Sequence, residues 1–257
     1  MNKKLIQQKN HFNEISDVYY NSRKSLKHLE FKRLLWETFL DDKEYLKKIS
    51  NVLEPMCGYA EGYSILKENL KIDLEYTGFD FSEKMVNYSK ENNPDLNIFQ
   101  EDIVNLQMKD KFDCIILIGG LHHVYNFIDA SVVNIYDSLK VGGYFINFEP
   151  THNSLITKKI RDYIYKKNSF FDYETEKDFY ISDYNNIFEK YKFKLVDQMY
   201  PGLLLYCLYY NPDVFPFLDV GNTKILKNLF NIEKKLYYTR FAKKFSFSTM
   251  SLFKKIS

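Results

Sequence analysis

The chain has 257 residues, and its formal net charge is +2 at pH 7. This length suits one sizeable α/β domain and is too short for two comfortable ones. The small net charge, with basic residues spread along the chain, excludes the strong positive field of a typical nucleic-acid-binding protein. Residues 1–10 lack the apolar core of a signal peptide, and the longest apolar run, 203–210, is far shorter than the ~20 residues of a membrane span. We therefore predict a cytoplasmic protein with no nucleic-acid partner and no transmembrane segment.

The cysteine residues indicate neither a metal site nor a disulfide framework. Cys57, Cys114 and Cys207 are odd in number, and two of them fall in or beside predicted buried strands. Such thiols are typical of small core residues or of reduced side chains in the cytosol. No Cys/His spacing along the chain suits a metal, so we predict none.

The first 50 residues are predicted to form a helical cap. The apolar residues of segment 12–20 have a helical spacing, and those of segment 26–39 form a strong amphipathic pattern. Tyr19 and Tyr20 lie in the first segment. One interpretation is that one of them packs and the other is simply exposed, and the alternative is that they belong to a lid over a ligand.

The next stretch predicts a ligand-binding turn. Residues 51–54 form a short buried strand that ends on Glu54, and residues 63–70 follow as a helix. The turn between them carries Gly58 and Gly62. A strand that ends on a carboxylate and a glycine-containing turn that leads into a helix are typical of the nucleotide-binding opening of a doubly wound α/β sheet.

The alternation of strands and helices continues to the end of the chain. Further strands are predicted at 75–80, 96–100, 112–118, 144–148, 193–199 and, antiparallel to the others, 245–253. Further helices are predicted at 127–139, 182–191 and 223–243. Segment 153–181 interrupts this regularity and is predicted to form a lid. The apolar segment 203–218 is interpreted either as part of a covered lid or as a contact surface for a partner or a membrane face.

Four motifs in order resemble the class I S-adenosylmethionine-dependent methyltransferases. They are the Glu54 turn, the stretch 76–85 around Asp80, the stretch 99–103 around Asp102, and the apolar run that ends at Gly119. The resemblance covers residues 51–149. The first family motif is an acidic residue followed by Gly-x-Gly-x-Gly, and this chain has Met56, Gly58 and Ala60 at the three glycine positions.

The resemblance implies a Rossmann-like α/β fold with a seven-stranded, mainly parallel sheet, an antiparallel last strand and a helical lid. We expect one domain, with the cofactor core at 51–150 and C-terminal strands and a helix at 193–257. The implied cofactor is S-adenosylmethionine, with S-adenosylhomocysteine as product. Asp80 would bind the ribose hydroxyls and Asp102 the adenine amino group, although each could instead be a solvated turn residue. The implied cofactor-binding residues are Glu54, Met56, Gly58, Asp80, Phe81, Met85, Asp102, Ile103 and Gly119.

The acceptor side is predicted from the pair His122–His123, which follows the central strand. This pair resembles small-molecule methyltransferases of the ubiquinone/menaquinone and phosphoethanolamine types. A histidine is more often structural, but two at a strand end beside a cofactor favour contact with substrate, His123 above all. The candidate catalytic residues are His123, His122 and Tyr19. The candidate substrate-binding residues are Tyr20, Arg23, Tyr125, His152 and Tyr173.

These residues predict methyl transfer to a small polar acceptor, with N-methylation of an amine such as a phospho-amine or amino sugar as the preferred reaction. O-methylation of a sugar or another small metabolite is the alternative. Two other classes remain open: a nicotinamide-dependent oxidoreductase, disfavoured by the absence of Gly-x-Gly-x-x-Gly, and a non-catalytic methyltransferase-like binding subunit. The oligomeric state is predicted as monomer or homodimer.

Overall fold

A computed structural model of the protein describes residues 3, 6, 7, 9, 10, 13, 14, 21, 23–167, 177–211 and 221–256. The strands in these residues are β1 (Asn51–Pro55), β2 (Glu75–Asp80), β3 (Asn97–Gln100), β4 (Phe112–Ile118), β5 (Leu139–His152), β6 (Phe179–Tyr180), β7 (Phe193–Met199) and β8 (Ser248–Lys255). Among the α-helices of these residues are α1 (Leu26–Leu40), α2 (Glu61–Leu70), α3 (Glu83–Asn92), α4 (Ile128–Ser138), α5 (Leu155–Lys167), α6 (Ile181–Lys190), α7 (Leu204–Tyr209), α8 (Thr223–Glu233) and α9 (Arg240–Phe245). Short 3₁₀ helices lie at Glu44–Lys48, Leu121–Phe127 and Lys234–Leu236.

The sheet has the strand order β3-β2-β1-β4-β5-β8-β7. The first five of these strands pair in parallel, and β8 runs antiparallel to both β5 and β7. This arrangement confirms the predicted mainly parallel, Rossmann-like α/β fold with an antiparallel last strand. The two-residue β6 adds to the predicted set and pairs with the end of β5.

The two largest differences from the predicted elements concern β5 and the helix 223–243. Strand β5 begins at Leu139, so residues 140–143, which lie between the predicted helix 127–139 and the predicted strand 144–148, belong to the strand as an irregularity in its pairing with β4. The helix predicted at 223–243 is interrupted after Glu233. There Tyr237 turns its buried side chain inward and donates to Glu233 Oε1 at 3.1 Å. The Thr239 hydroxyl then caps the next helix by accepting from Ala242 N at 3.2 Å.

The hydrophobic core has two layers, one on each face of the sheet. Side chains alternate along β4: Cys114 and Ile116 join one cluster, and Ile115 and Leu117 join the other. The first cluster packs against α1, α2, α7 and α8, and the second against α4 and α6. Helix α1 belongs fully to the first layer, because Phe31, Leu35, Trp36 and Phe39 have no exposed surface.

The strand order places the candidate site. The direction of chain progression reverses between the neighbours β1 and β4, and in open α/β sheets ligands bind beyond the carboxyl ends of strands at such a point. The loops after β1, β2, β3 and β4 therefore meet at one rim, which we call the carboxyl edge. Over the residues that the structure describes, no helix is long and apolar enough to cross a membrane.

Candidate functional site

The Glu54 carboxylate binds residues that follow the turn after β1 and so holds this turn in place. Glu54 Oε1 accepts from Gly62 N at 2.8 Å, and Oε2 accepts from the Tyr76 hydroxyl at 2.7 Å and from Tyr63 N at 3.3 Å. Two of these donors, Gly62 N and Tyr63 N, are backbone N–H groups in the first turn of α2. The N–H groups in the first turn of a helix have no acceptor within the helix itself. Glu54 is only 2% exposed. It therefore fixes the start of α2 against β1, and its two oxygens are directed at protein groups.

The turn itself keeps a glycine-type backbone although two of its three glycine positions are substituted. Met56, Gly58 and Ala60 have φ values of 53°, 51° and 58°. The left-handed region costs a residue with a Cβ roughly 1–2 kcal/mol. Ala60 is nevertheless buried at 1% exposure, and Ala60 N closes the turn by donating to Cys57 O at 2.8 Å. The tight turn of the motif thus survives both substitutions.

Asp80 connects β2 to that turn. Asp80 Oδ2 accepts from Gly58 N at 3.0 Å, and Oδ1 accepts from Ser82 N at 2.9 Å. Ser82 in turn caps α3 by accepting from Met85 N at 3.2 Å. Burial raises the pKa of Asp80, although the two backbone N–H bonds oppose that shift. Each carboxylate oxygen has further lone pairs that can accept a hydroxyl proton.

A third carboxylate follows β3. Asp102 Oδ1 accepts from Val104 N at 2.9 Å, and Oδ2 accepts from Asn105 Nδ2 at 2.7 Å. The Asn134 amide on α4 donates to Ile103 O at 2.8 Å and so fixes this loop. Ile103 is buried at 2% exposure, Met85 at 4%, and Phe81 is half-buried. These four predicted cofactor residues, Phe81, Met85, Asp102 and Ile103, lie at the ends of β2 and β3 or in α3 beside them.

The carboxyl edge fits a nucleoside on three observations. A Cβ built on Gly58 would meet no atom within 4 Å, so the turn borders open space. Asp80 stands beside that space, held by the Gly58 N–H. Asp102 follows the neighbouring β3, because β2 and β3 pair directly. A carboxylate for the ribose, a second for the base and a close-approach glycine are the features that such a ligand needs.

The loop after β4 brings the two histidines to the same edge. Gly119, with a φ of +64°, donates its N–H to Phe148 O at 2.7 Å and so ends the β4–β5 pairing. The His122 and His123 rings lie with their centroids 3.8 Å apart. His122 is buried and its Nδ1 lies 2.9 Å from Glu149 Oε2, whereas His123 is half-buried. His123 also interacts electrostatically with Asp80, so the histidine loop lies near the end of β2.

His152 lies in a separate buried ion cluster. Its Nδ1 is 2.6 Å from Asp178 Oδ2, and the Arg161 Nε is 3.0 Å from the same oxygen. Burial raises the pKa of Asp178, but the bond to His152 and the charge of Arg161 outweigh it, so the pKa is lowered. Arg161 also donates to Thr151 O at 3.3 Å. His152 therefore braces β5 against the segment that leads into β6.

That segment also reaches the histidine loop. Lys177 N donates to His122 O at 3.3 Å, and the Lys177 ammonium lies 5.5 Å from the ring centre of Tyr125. The Tyr125 ring packs at 5.4 Å from Phe179. The predicted substrate residues Tyr125 and His152 thus both adjoin residues 177–180, a wall of the site built by the end of the predicted lid.

One predicted substrate residue, Arg23, contacts a different part of the structure. Arg23 lies 5.9 Å from the ring centre of Tyr210 and donates to Asn211 Oδ1 at 3.5 Å. Tyr210 belongs to the core layer under α1 and α7, on the other face of the sheet from the layer that contains Leu121. Three more, Tyr19, Tyr20 and Tyr173, lie outside the described residues.

Two contributors to the site were absent from the sequence-based candidates. Glu149 binds His122, and Asp178 binds His152. A signal for Glu149 existed, since it ends a predicted strand just as Glu54 and Asp80 do. Asp178 had no such signal, because it falls in an irregular segment. Within the described ranges, no group of three or more His, Cys, Asp or Glu side chains could hold a metal ion.

Glu54→Gln should flatten the pH dependence of stability. Burial raises the pKa of Glu54 to about 8. A raised folded-state pKa stabilises the fold fully below the unfolded-state pKa, and this stabilisation is lost as the pH rises through the folded-state pKa. The wild-type free energy of unfolding should therefore fall between about pH 5 and pH 8, by at most about 1.4 kcal/mol per pH unit. Urea unfolding at several pH values measures the slope, with exposed Glu68→Gln as the control. Equal slopes in all three proteins would contradict the buried titration.

The fold, the glycine turn and the strand-end carboxylates define the class I S-adenosylmethionine-dependent methyltransferases. In agreement, a family profile described as a methyltransferase domain matches residues 53–147. Over residues 53–147 the chain is therefore similar to methyltransferase domains, and this similarity together with the fold implies S-adenosylmethionine as the cofactor. This finding confirms the resemblance drawn from the four motifs.

Among characterised proteins, the chain is similar to a demethylmenaquinone methyltransferase of Staphylococcus epidermidis. The two are 28% identical over 125 residues, which cover 47% of this chain and 52% of the relative. The chain thus spans about half the length of that relative.

Solved structures share the fold. A SAM-dependent methyltransferase from Archaeoglobus fulgidus matches with a TM-score of 0.56 at 19% identity, over 87% of this chain and 94% of that chain. The [4+2]-cyclase SpnF matches with a TM-score of 0.54 at 12% identity, over 80% of this chain and 74% of that chain. Proteins with this fold therefore differ in the reaction named for them, and the site must carry the argument for function.

Proposed function

We propose that the protein transfers the methyl group of S-adenosylmethionine to a small polar molecule, with N-methylation of an amine as the preferred reaction. The single observation that carries the cofactor half is the Gly58–Asp80 contact, which holds a carboxylate beside open space at the ends of β1 and β2. The matched methyltransferase profile spans that contact. The acceptor half rests on the polar groups after β4 and β5.

On the cofactor side, the proposed role of the protein is to bind S-adenosylmethionine and to orient it. Asp80 would accept the ribose hydroxyls, Asp102 would accept from the adenine amino group, and the Gly58 turn would let the backbone approach the amino-acid portion. Phe81, Met85 and Ile103 would line the adenine, with Gly119 and Met56 near the sulfur end. When bound, the cofactor supplies an electrophilic methyl group on a sulfonium sulfur. Orientation of the acceptor towards that methyl group is the main contribution that the protein can make.

On the acceptor side, side chains of the protein can take the proton that the methyl acceptor loses and can lie against a positively charged group. An amine or hydroxyl must lose its proton to expose a lone pair, and the His122–His123 pair can take it. Tyr125, with its ring beside the Lys177 ammonium, and His152, held by Asp178, both adjoin residues 177–180. These groups suit a small acceptor with polar substituents.

A quinone-type acceptor is the second candidate, because the similar Staphylococcus epidermidis protein is a demethylmenaquinone methyltransferase. O-methylation of a sugar or other small metabolite is a third. The N-methylation proposal favours polar amines because hydrogen-bonding side chains lie in the histidine loop and near it. His122 binds Glu149, and His152 binds Asp178 in the neighbouring cluster. Location in the cytoplasm, the monomer or homodimer state and closure of residues 153–181 as a lid stay proposals.

Labelled methyl transfer to a panel of acceptors tests this function. The panel contains ethanolamine phosphate, glucosamine, a simple sugar and a reduced naphthoquinone. We expect S-adenosylhomocysteine to bind in calorimetry and label to pass to an amine. Label on the naphthoquinone alone would replace the amine with the quinone-type acceptor. Cofactor binding without transfer to any acceptor would favour a non-catalytic subunit, and NADH binding would favour an oxidoreductase.

A further inference from the structure

Glu149 is the most completely hydrogen-bonded buried carboxylate at the carboxyl edge. It is 1% exposed, and its side chain has no exposed surface. Glu149 Oε1 accepts from Gly120 N at 3.0 Å, from Leu121 N at 2.8 Å and from Asn147 Nδ2 at 3.2 Å. Glu149 Oε2 accepts from the backbone N of His122 at 3.4 Å and lies 2.9 Å from its Nδ1. Glu149 thus binds both the start of the histidine loop and the His122 ring.

The network continues below Glu149 into the core. Asn147 Nδ2 also donates to Leu117 O at 2.8 Å, and the buried Tyr184 hydroxyl donates to Asn147 Oδ1 at 2.5 Å. Asn147 and Tyr184 are 0% and 1% exposed. The carboxylate is therefore attached to β4, β5 and α6 at once, and it has little freedom to move.

This geometry determines the tautomer of His122. A carboxylate only accepts, so Nδ1 must carry the hydrogen that it donates to Glu149. In the neutral imidazole the basic lone pair then belongs to Nε2. A buried carboxylate next to the ring also favours the protonated imidazolium that forms when Nε2 accepts a proton.

We propose that Glu149 is a positioning residue that makes His122 the proton acceptor of the reaction. The inference rests on the proposed methyl transfer. In the step, the N–H bond of the acceptor breaks, its electron pair stays on nitrogen, and the proton binds His122 Nε2. The exposed lone pair bonds to the methyl carbon while the S–CH₃ electron pair goes to sulfur. The positive charge on His122 then faces Glu149.

Other charged and titratable groups near His122 require a site-resolved measurement. His123 stacks on the ring from the same loop, Lys177 contacts the loop from the segment before β6, and Tyr184 approaches Glu149 from α6. Asp80 on β2 interacts with His123. A pH profile alone could report any of these, so it is combined with NMR of the His122 ring nitrogens.

Glu149→Gln, which keeps the size of the side chain and removes its charge, is the test variant. With the acceptor that the panel identifies, we expect kcat to fall about 10²-fold, within the usual range for a general base, and S-adenosylhomocysteine affinity to stay within twofold. Because the neutral amide no longer favours the imidazolium, the acid limb of the kcat–pH profile should move to lower pH. Exposed Glu189→Gln should match the wild type.

A cycle with His122→Ala separates positioning from a structural role. If Glu149 acts through His122, Glu149→Gln should cause no further loss of kcat in the His122→Ala background. Equal losses in both backgrounds, an unmoved acid limb, or a loss confined to His123→Ala would overturn the proposal while leaving methyl transfer intact. Absence of transfer by the wild type would instead overturn the proposed function.

A measurement on the wild type keeps the proposal falsifiable if Glu149→Gln fails to fold. In ¹⁵N-histidine spectra of the S-adenosylhomocysteine complex, neutral His122 should carry its hydrogen on Nδ1. A hydrogen on Nε2 would overturn the assignment whether or not an acceptor has been found.

Discussion

Asp80→Ala should weaken S-adenosylhomocysteine binding by about 1.5–3 kcal/mol, the range for a hydrogen bond to a charged group. This corresponds to a loss of affinity of roughly 10- to 150-fold. The substitution removes the acceptor predicted for the ribose hydroxyls. It also leaves Gly58 N and Ser82 N without the carboxylate that now accepts from both. The structural part of the effect therefore adds to the direct one, and calorimetric titration of S-adenosylhomocysteine measures their sum.

A matched substitution separates this effect from a general loss of charge. Asp95 is exposed in the loop between α3 and β3, so Asp95→Ala should leave affinity unchanged. Thermal unfolding of both variants without ligand then shows how far Asp80 stabilises the turn by itself. Wild-type affinity in a folded Asp80→Ala variant would remove Asp80 from the cofactor site.

Much of the sheet could be predicted because its central strands are specified locally. The boundaries of the inner strands β2 and β4 match the predicted strands 75–80 and 112–118, and those of the edge strand β7 match the predicted strand 193–199. A strand buried on both faces reads as a continuous apolar run, and a strand-end Asp or Glu marks where the run meets polar surroundings. The same local logic found Asp80 and Asp102, because each follows a strand that the pattern already defines.

The remaining features depend on contacts that a linear pattern does not contain. His122 and Glu149 are 27 residues apart, and His152 and Asp178 are 26 apart. Only the β4–β5 and β5–β6 pairing brings these side chains together. The break in the predicted 223–243 helix likewise follows from burial of Tyr237, which tertiary packing favours over a continuous helix.

The backbone of the turn after β1 shows a second reason why the sequence alone does not predict a conformation. Sequence comparison treats Met56 and Ala60 as departures from the glycine motif, yet both adopt left-handed φ values. The Glu54 bonds to α2 and the Cys57 N bond to Phe79 O, at 2.9 Å, hold the turn in that conformation. Surrounding bonds can therefore impose a conformation that the residue type disfavours.

Gly62→Ala should destabilise the fold by about 2 kcal/mol, within the cost of adding a methyl group to a packed core. A Cβ at this position would lie 2.6 Å from Ile116 Cγ2 and 2.8 Å from both Cδ and Oε2 of Glu54. Neither neighbour can retreat easily. Ile116 is buried in the central strand, and Glu54 is held by the Tyr76 hydroxyl. Helix α2 would have to move away from β1 and carry the end of the Gly58 turn with it, so S-adenosylhomocysteine affinity should fall as well.

The sign of this effect distinguishes packing from helix propensity. In an exposed helix position, alanine is about 1 kcal/mol more favourable than glycine. Ser64 is exposed two residues further along α2, so Ser64→Ala should be more stable than Ser64→Gly by about that amount. At position 62 the order should reverse, with glycine the more stable residue. Urea unfolding of the four proteins gives both differences. The new methyl group would meet the Glu54 side chain as well as Ile116. A Gly62→Ala variant with wild-type stability and wild-type cofactor affinity would therefore show that Glu54 does not fix the start of α2.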